Sequence, residues 1–179
     1  VKEGGENLRK HSAIALGLLK DTACLPVIRE MIRERDPLVL KDCRKNNQIR
    51  GVIAVYIAGK LGDPEMTGTL IELATDPEEF DRPVYHKDPK EEEQCLLSGY
   101  HKTYYQFFTL RSLIRIGDQN PLLRKEIAAA FKEVLAKEVP GAPYGKDTDV
   151  KYRDGYREYL LTEGISMVLE NTLAGWNIN

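Results

Sequence analysis

His86, Cys95 and His101 carry atoms that bind transition metals, and they lie 9 and 6 residues apart. Zinc sites use tighter pairs, such as two cysteines separated by two to four residues, so this spacing specifies no metal centre. Asp147, Asp149 and Asp154 crowd a short segment, yet the central glycine and closing glutamate of a calcium loop are missing, and a solvated loop is the expectation. Phosphate-cradling glycine patterns (GxGxxG, GxxxxGK[ST]) are absent, as are HExxH, GxSxG and CxxC. With three histidines in the chain, an acid/base triad would have to be assembled from residues that share no local arrangement. The expectation is a chain without catalytic, cofactor-binding or metal-ligating residues of its own.

Binding is the other chemistry that these residue types support. Tyr85, His86, Tyr100, His101, Tyr104 and Tyr105 gather in one stretch of a chain with only 8% aromatic residues. Tyrosine gives large contact area at low entropic cost, which suits a protein-contact surface. Tyr100, Tyr104, Phe107 and Phe108 also have helical spacing, which suits core packing equally. Trp176, the sole tryptophan, near the last residue, either docks as a cap or belongs to an interface. These seven, Tyr85, His86, Tyr100, His101, Tyr104, Tyr105 and Trp176, are the candidate partner contacts.

The elements that must position them are helices. The chain has 179 residues, 42% of them hydrophobic and 30% charged, which suits one domain with a real core. Lys+Arg 26 against Asp+Glu 28 gives a net charge of -2, so no basic excess awaits nucleic acid. No apolar run approaches the length of a membrane span. The chain opens on Val1 without methionine or a visible signal peptide and reads as a fragment of a larger protein. Its three cysteines form neither a disulfide framework nor a zinc knuckle, which favours a reducing, cytoplasmic setting.

Three segments align on a Gly/Asp signature: Leu16 to Asp21, Ala58 to Asp63 and Leu113 to Asp118, with aspartates 42 and 55 residues apart. Ahead of the second, Ile49, Val52, Ile53, Tyr56 and Ile57 recur at helical spacing; ahead of the third, Phe107, Leu110 and Ile114 do so. Behind them, Leu25, Ile28, Ile32, then Met66, Leu70, Leu73, then Leu123, Ile127, Phe131 keep the same period. Asp63-Pro64-Glu65 supplies an N-cap acceptor, a ring without an amide hydrogen at N1 and an acid in the first turn. Asp36-Pro37 and Asp76-Pro77 close two of the hairpins. Ile53 and Ile127 are expected in the core.

The Gly-x-x-Gly-Asp turn at Gly59 to Asp63, its partners at Gly17 and Gly117 and the closing Asp-Pro pairs resemble HEAT repeats, of the armadillo-like class, over roughly Leu8 to Ala136. The resemblance implies an all-α, right-handed α-α superhelix of three to four hairpins in one domain spanning 1–179. Its units are 8–37, 48–77 and 100–138, with a terminal helix at 156–173 and insertions at 78–99 and 139–155. It implies a non-catalytic scaffold that binds a protein partner through the concave face or the tyrosine-rich insertion. Similar repeat tails follow flavin-dependent oxidoreductase domains, which places FAD, in that alternative, in a catalytic domain outside this chain. HEAT-like alkylpurine glycosylases are a third likeness, set last because they need a basic groove that a net charge of -2 does not promise.

Overall fold

The computed structural model describes residues 2–34, 50–75, 98–136 and 166–178. These residues form seven α-helices and no strand. In chain order they are α1 (Lys2–Leu18), α2 (Leu25–Arg33), α3 (Arg50–Leu61), α4 (Thr67–Thr75), α5 (Ser98–Gln119), α6 (Arg124–Ala136) and α7 (Ser166–Gly175). The all-α expectation holds for them. The Asp36-Pro37 and Asp76-Pro77 pairs and the insertion at 139–155 lie outside the described residues, as does the insertion at 78–99 apart from its last two positions, and the 156–165 part of the terminal helix.

Helices α1 and α2 run antiparallel, the middle of α1 joined to the later part of α2 and the residue after it by the ion pairs Arg9–Glu30 and Lys10–Glu34. Helix α3 lies parallel to α1. Near its start Arg50 donates to Asn7 Oδ1 at 3.0 Å, and near its end Lys60 Nζ donates to the Leu18 carbonyl at 2.7 Å. Helix α5 repeats this on α3, with Ser112 Oγ donating to Val55 O at 2.8 Å and Gln119 Nε2 to Gly59 O at 3.2 Å. In the last turns of α1 and α3, the Leu18 and Gly59 carbonyls thus each accept from a side chain of the helix stacked alongside.

Close approach is possible because a glycine stands at each crossing. A methyl group on Gly17 would strike the Ile57 side chain, and one on Gly117 would strike the Trp176 ring. On Gly59 it would lie 2.5 Å from Ser112 Cα, which is backbone. The buried side chains between these helices, among them Ile28, Met31, Ile57, Leu70, Leu113, Ile127 and Phe131, form one cluster. Ile53 is only half-buried, against expectation, because the inward stripe of α3 runs through Ala54, Ile57 and Ala58.

Three helices end in the same way. Lys20, Gly62 and Asn177 sit at φ 66°, 65° and 56°, each within a left-handed turn that returns two amide hydrogens to the preceding helix. Asp21 N to Leu16 O, Asp63 N to Ala58 O and Ile178 N to Leu173 O are the long bonds of that turn. Lys20 does there what glycine does without a steric penalty. Replacing Lys20 by glycine should therefore raise stability by about 0.5–1 kcal/mol in urea denaturation; a loss of stability would contradict the turn geometry.

The third turn departs from the signature. Helix α5 continues to Gln119 without a left-handed residue, and the 3-10 turn Pro121–Leu123 follows Asn120. Asn120-Pro121, not Gly117-Asp118, stands where Asp63-Pro64 stands in the second turn. Asn120 does not cap this turn; its Nδ2 donates to Gly62 O and Ile116 O at 3.0 Å each. Gly117 instead matches Gly17 and Gly59 as a close-approach position.

Candidate functional site

Of the seven candidate contacts, four fall in the first eight residues of α5: Tyr100, His101, Tyr104 and Tyr105. By position, 100 and 104 continue through Phe107 and Arg111 on one stripe, and 101 and 105 through Phe108 on the next. Phe107 and Phe108 are half-buried and meet edge to face, 5.8 Å between centroids at 82°. Arg111 lies over Phe107 at 5.3 Å. Gln106 Nε2 donates to Ala74 O at 3.1 Å, so this end of α5 is fixed beside the C-terminus of α4. Tyr85, His86 and Cys95 lie outside the described residues, as do Asp147, Asp149 and Asp154.

Trp176 is at the opposite end of α5. Its ring stacks on Phe131 at 5.9 Å and 21°, fills the space over Gly117 and has Arg124 at 5.5 Å. Its Nε1 donates to Asp118 Oδ1 at 2.9 Å. Twelve residues of helix, about 18 Å, separate Tyr105 from Gly117, so these candidates do not form one site. Trp176 closes the α5–α6 end. Truncating it to alanine should cost about 2 kcal/mol, since a half-exposed indole loses stacking and one hydrogen bond. Urea denaturation followed by circular dichroism measures this, and an unchanged midpoint would mean the ring contributes nothing to the fold.

Most of the large hydrophobic side chains exposed among the described residues are at the other end of the molecule, on and just after α1. Its inward stripe is Lys10, Ala13 and Gly17, all buried. Its outward stripe is Gly5, Leu8, Ser12, Ala15 and Leu19, all exposed, with Leu8 at 68% and Leu19 at 80%. Leu19 N still donates to Ala15 O at 3.1 Å, which keeps it on that stripe. Leu16 and Leu18 flank it, so four of the six large hydrophobic side chains exposed among the described residues belong to this surface. On α3 the positions 42 residues later, Arg50, Ala54, Ile57 and Leu61, are buried or half-buried in the chain. The stripe that on α3 is turned toward α1 is bare on α1 itself.

Two cations of α1, Arg9 beside this stripe and Lys10 on the inward one, are paired. Arg9 pairs with Glu6 and Glu30, and Lys10 with Glu6 at 3.6 Å and Glu34 at 3.0 Å. The Arg9 hydrogen bond holds Glu6 below the usual carboxylate range, and Glu6 in turn raises the Arg9 guanidinium. Burial pushes the Cys24 thiol up, which leaves it protonated near neutral pH and a poor nucleophile.

Leu8, Leu16 and Leu19 were not singled out by the sequence as contacts. The available signal was the 3-4 spacing of positions 5, 8, 12, 15 and 19, which glycine, serine and alanine dilute below what an apolar count detects. Among the described residues, no group of three or more His, Cys, Asp and Glu side chains is placed to hold a metal ion, and no helix is long and apolar enough to cross a membrane. No family model, no curated protein and no solved structure matches this chain.

Proposed function

We propose that this chain is a non-catalytic protein-interaction module, a scaffold of HEAT-like hairpins stacked as a right-handed α-solenoid. One observation carries the reading: α3 on α1 and α5 on α3 use the same parallel packing, a glycine at the crossing and a side-chain donor from the later helix to a terminal carbonyl of the earlier one. Units joined only to their neighbours through one recurring interface build extended surfaces that hold elongated partners. In that arrangement the second helices α2, α4 and α6 line the concave face, and the α5 start with Tyr100, His101, Tyr104 and Tyr105 lies at its edge.

The test is to purify the natural gene product that contains this stretch and record its visible spectrum together with its co-purifying proteins. A colourless protein with a stoichiometric partner agrees with the scaffold reading. Flavin absorbance in the same polypeptide would replace it with an accessory domain of an oxidoreductase.

A further inference from the structure

We infer that the side of α3 and α5 carrying Tyr56, Lys60, Arg111 and Arg115 docks an acidic segment of a partner protein, with Arg111 and Arg115 as its anchors. Asp and Glu make up 28 of the 179 residues, yet α3 and the part of α5 from Ser98 to Gly117 contain none, against Arg50, Lys60, Lys102, Arg111 and Arg115. Ser112 Oγ on Val55 O fixes the two helices side by side, so together they present charge of a single sign in a chain whose net charge is -2. The first acid on this stripe of α5 is Asp118, whose Oδ1 is taken by Trp176 Nε1.

What holds these two arginines sets them apart. Arg9 and Arg29 are locked to carboxylates of their own chain. Arg111 instead lies over the Phe107 ring at 5.3 Å, and Arg115 over the Tyr56 ring of α3 at 4.8 Å. Neither guanidinium makes an ion pair or a side-chain hydrogen bond among the described residues. Stacking covers the face of a guanidinium and leaves its N–H edge for an acceptor, and a carboxylate fits that edge with two parallel hydrogen bonds. Arg115 is half-buried and Arg111 exposed, so a ligand reaches both from solvent. They stand one helical turn apart, with Cβ atoms about 6 Å from each other. The matching ligand carries two carboxylates at a like spacing, as an acidic helix does at positions i and i+4. Because the rings already restrict both side chains, less conformational freedom is lost on binding. Lys60, one turn beyond Tyr56, adds a third positive charge. Three cations neutralise too few phosphates for firm attachment to nucleic acid, which leaves a carboxylate-bearing protein segment as the better match. This surface deepens the interaction-module reading, on which it rests for the ligand being a protein.

The test follows the arginine Nε–H signals of the 179-residue chain by nuclear magnetic resonance while the blocked peptide acetyl-EAALEAALEAAL-amide is added. The expected result is saturable movement of the Arg111 and Arg115 signals, with a dissociation constant of about 0.1–1 mM that rises with salt. R111E should weaken binding at least about tenfold, and because Arg111 is exposed the helical circular dichroism should not change. R111K/R115K keeps both charges but loses the planar forks, and should weaken binding several-fold. No movement of these signals up to about 5 mM peptide would overturn the inference. So would binding indifferent to R111E, binding unchanged in R111K/R115K, equal binding of the same peptide with lysine in place of glutamate, or tighter binding of a single-stranded oligonucleotide. Each of these strikes this surface alone; the module reading fails separately, if the natural gene product holds no partner.

Discussion

Asp63→Ala is expected to destabilise the chain by about 3 kcal/mol. Its side chain is fully buried and does two things at once. Oδ1 accepts from Glu65 N at 3.3 Å, the N-cap of the 3-10 turn Pro64–Met66 that leads into α4. Both oxygens also receive the Arg29 guanidinium, Nε to Oδ2 and Nη2 to Oδ1, each at 2.8 Å. Loss of an N-cap acceptor costs about 1 kcal/mol. Removing one member of a buried ion pair costs about 3–5 kcal/mol when the other is left bare. Here the lower end applies, because Arg29 keeps Glu65 Oε2 at 2.6 Å near the surface. Asp63→Asn separates the two contributions: asparagine caps about as well as aspartate but brings no charge to Arg29, so it should cost about half as much. Urea denaturation of the three proteins decides it, and equal stability of wild type and Asp63→Ala would mean that the α2–α3 contact does not form as described.

Gly59→Ala is the second large effect, with a sign opposite to that of an ordinary helix site. Glycine to alanine inside a helix normally stabilises by about 1 kcal/mol. At Gly59 the added methyl lies 2.5 Å from Ser112 Cα and 2.6 Å from Ser112 Cβ and Oγ, so no rotamer change relieves it and α3 must part from α5. Overpacking of this kind costs about 1–3 kcal/mol, and separation also endangers the Ser112 Oγ bond to Val55 O. A net loss of about 3 kcal/mol is expected. Gly17→Ala should be milder, because Ile57 can move its methyl groups. Gly68→Ala, where nothing lies within 4 Å of the new methyl, should stabilise by about 0.5–1 kcal/mol. A Gly59→Ala protein as stable as Gly68→Ala would show that α3 and α5 do not cross at this residue.

The helices and most of their inward faces were legible in the sequence because apolar residues recur at helical spacing and because Asp63-Pro64 announces its own turn. Ile53 misled because the apolar stripe of α3 is wide, and periodicity alone does not tell which edge faces the core. The third turn misled for a chemical reason. Gly117-Asp118 looks like Gly62-Asp63, but α5 has no left-handed residue to stop it there, and Asn120-Pro121 ends it two residues later. Gly117 is glycine for the crossing with Trp176. The exposed stripe of α1 escaped notice because glycine, serine and alanine give it spacing without bulk.

The central claim is that the chain works by holding another protein. A photoreactive residue placed at His101, at the start of α5, and another at Ala129, on the exposed side of α6, tests it in the intact natural gene product. Leu8, exposed on α1, serves as the comparison position. The account predicts that positions 101 and 129 cross-link to one and the same second polypeptide and that position 8 does not. Cross-links at 101 and 129 no different from those at 8 would contradict it.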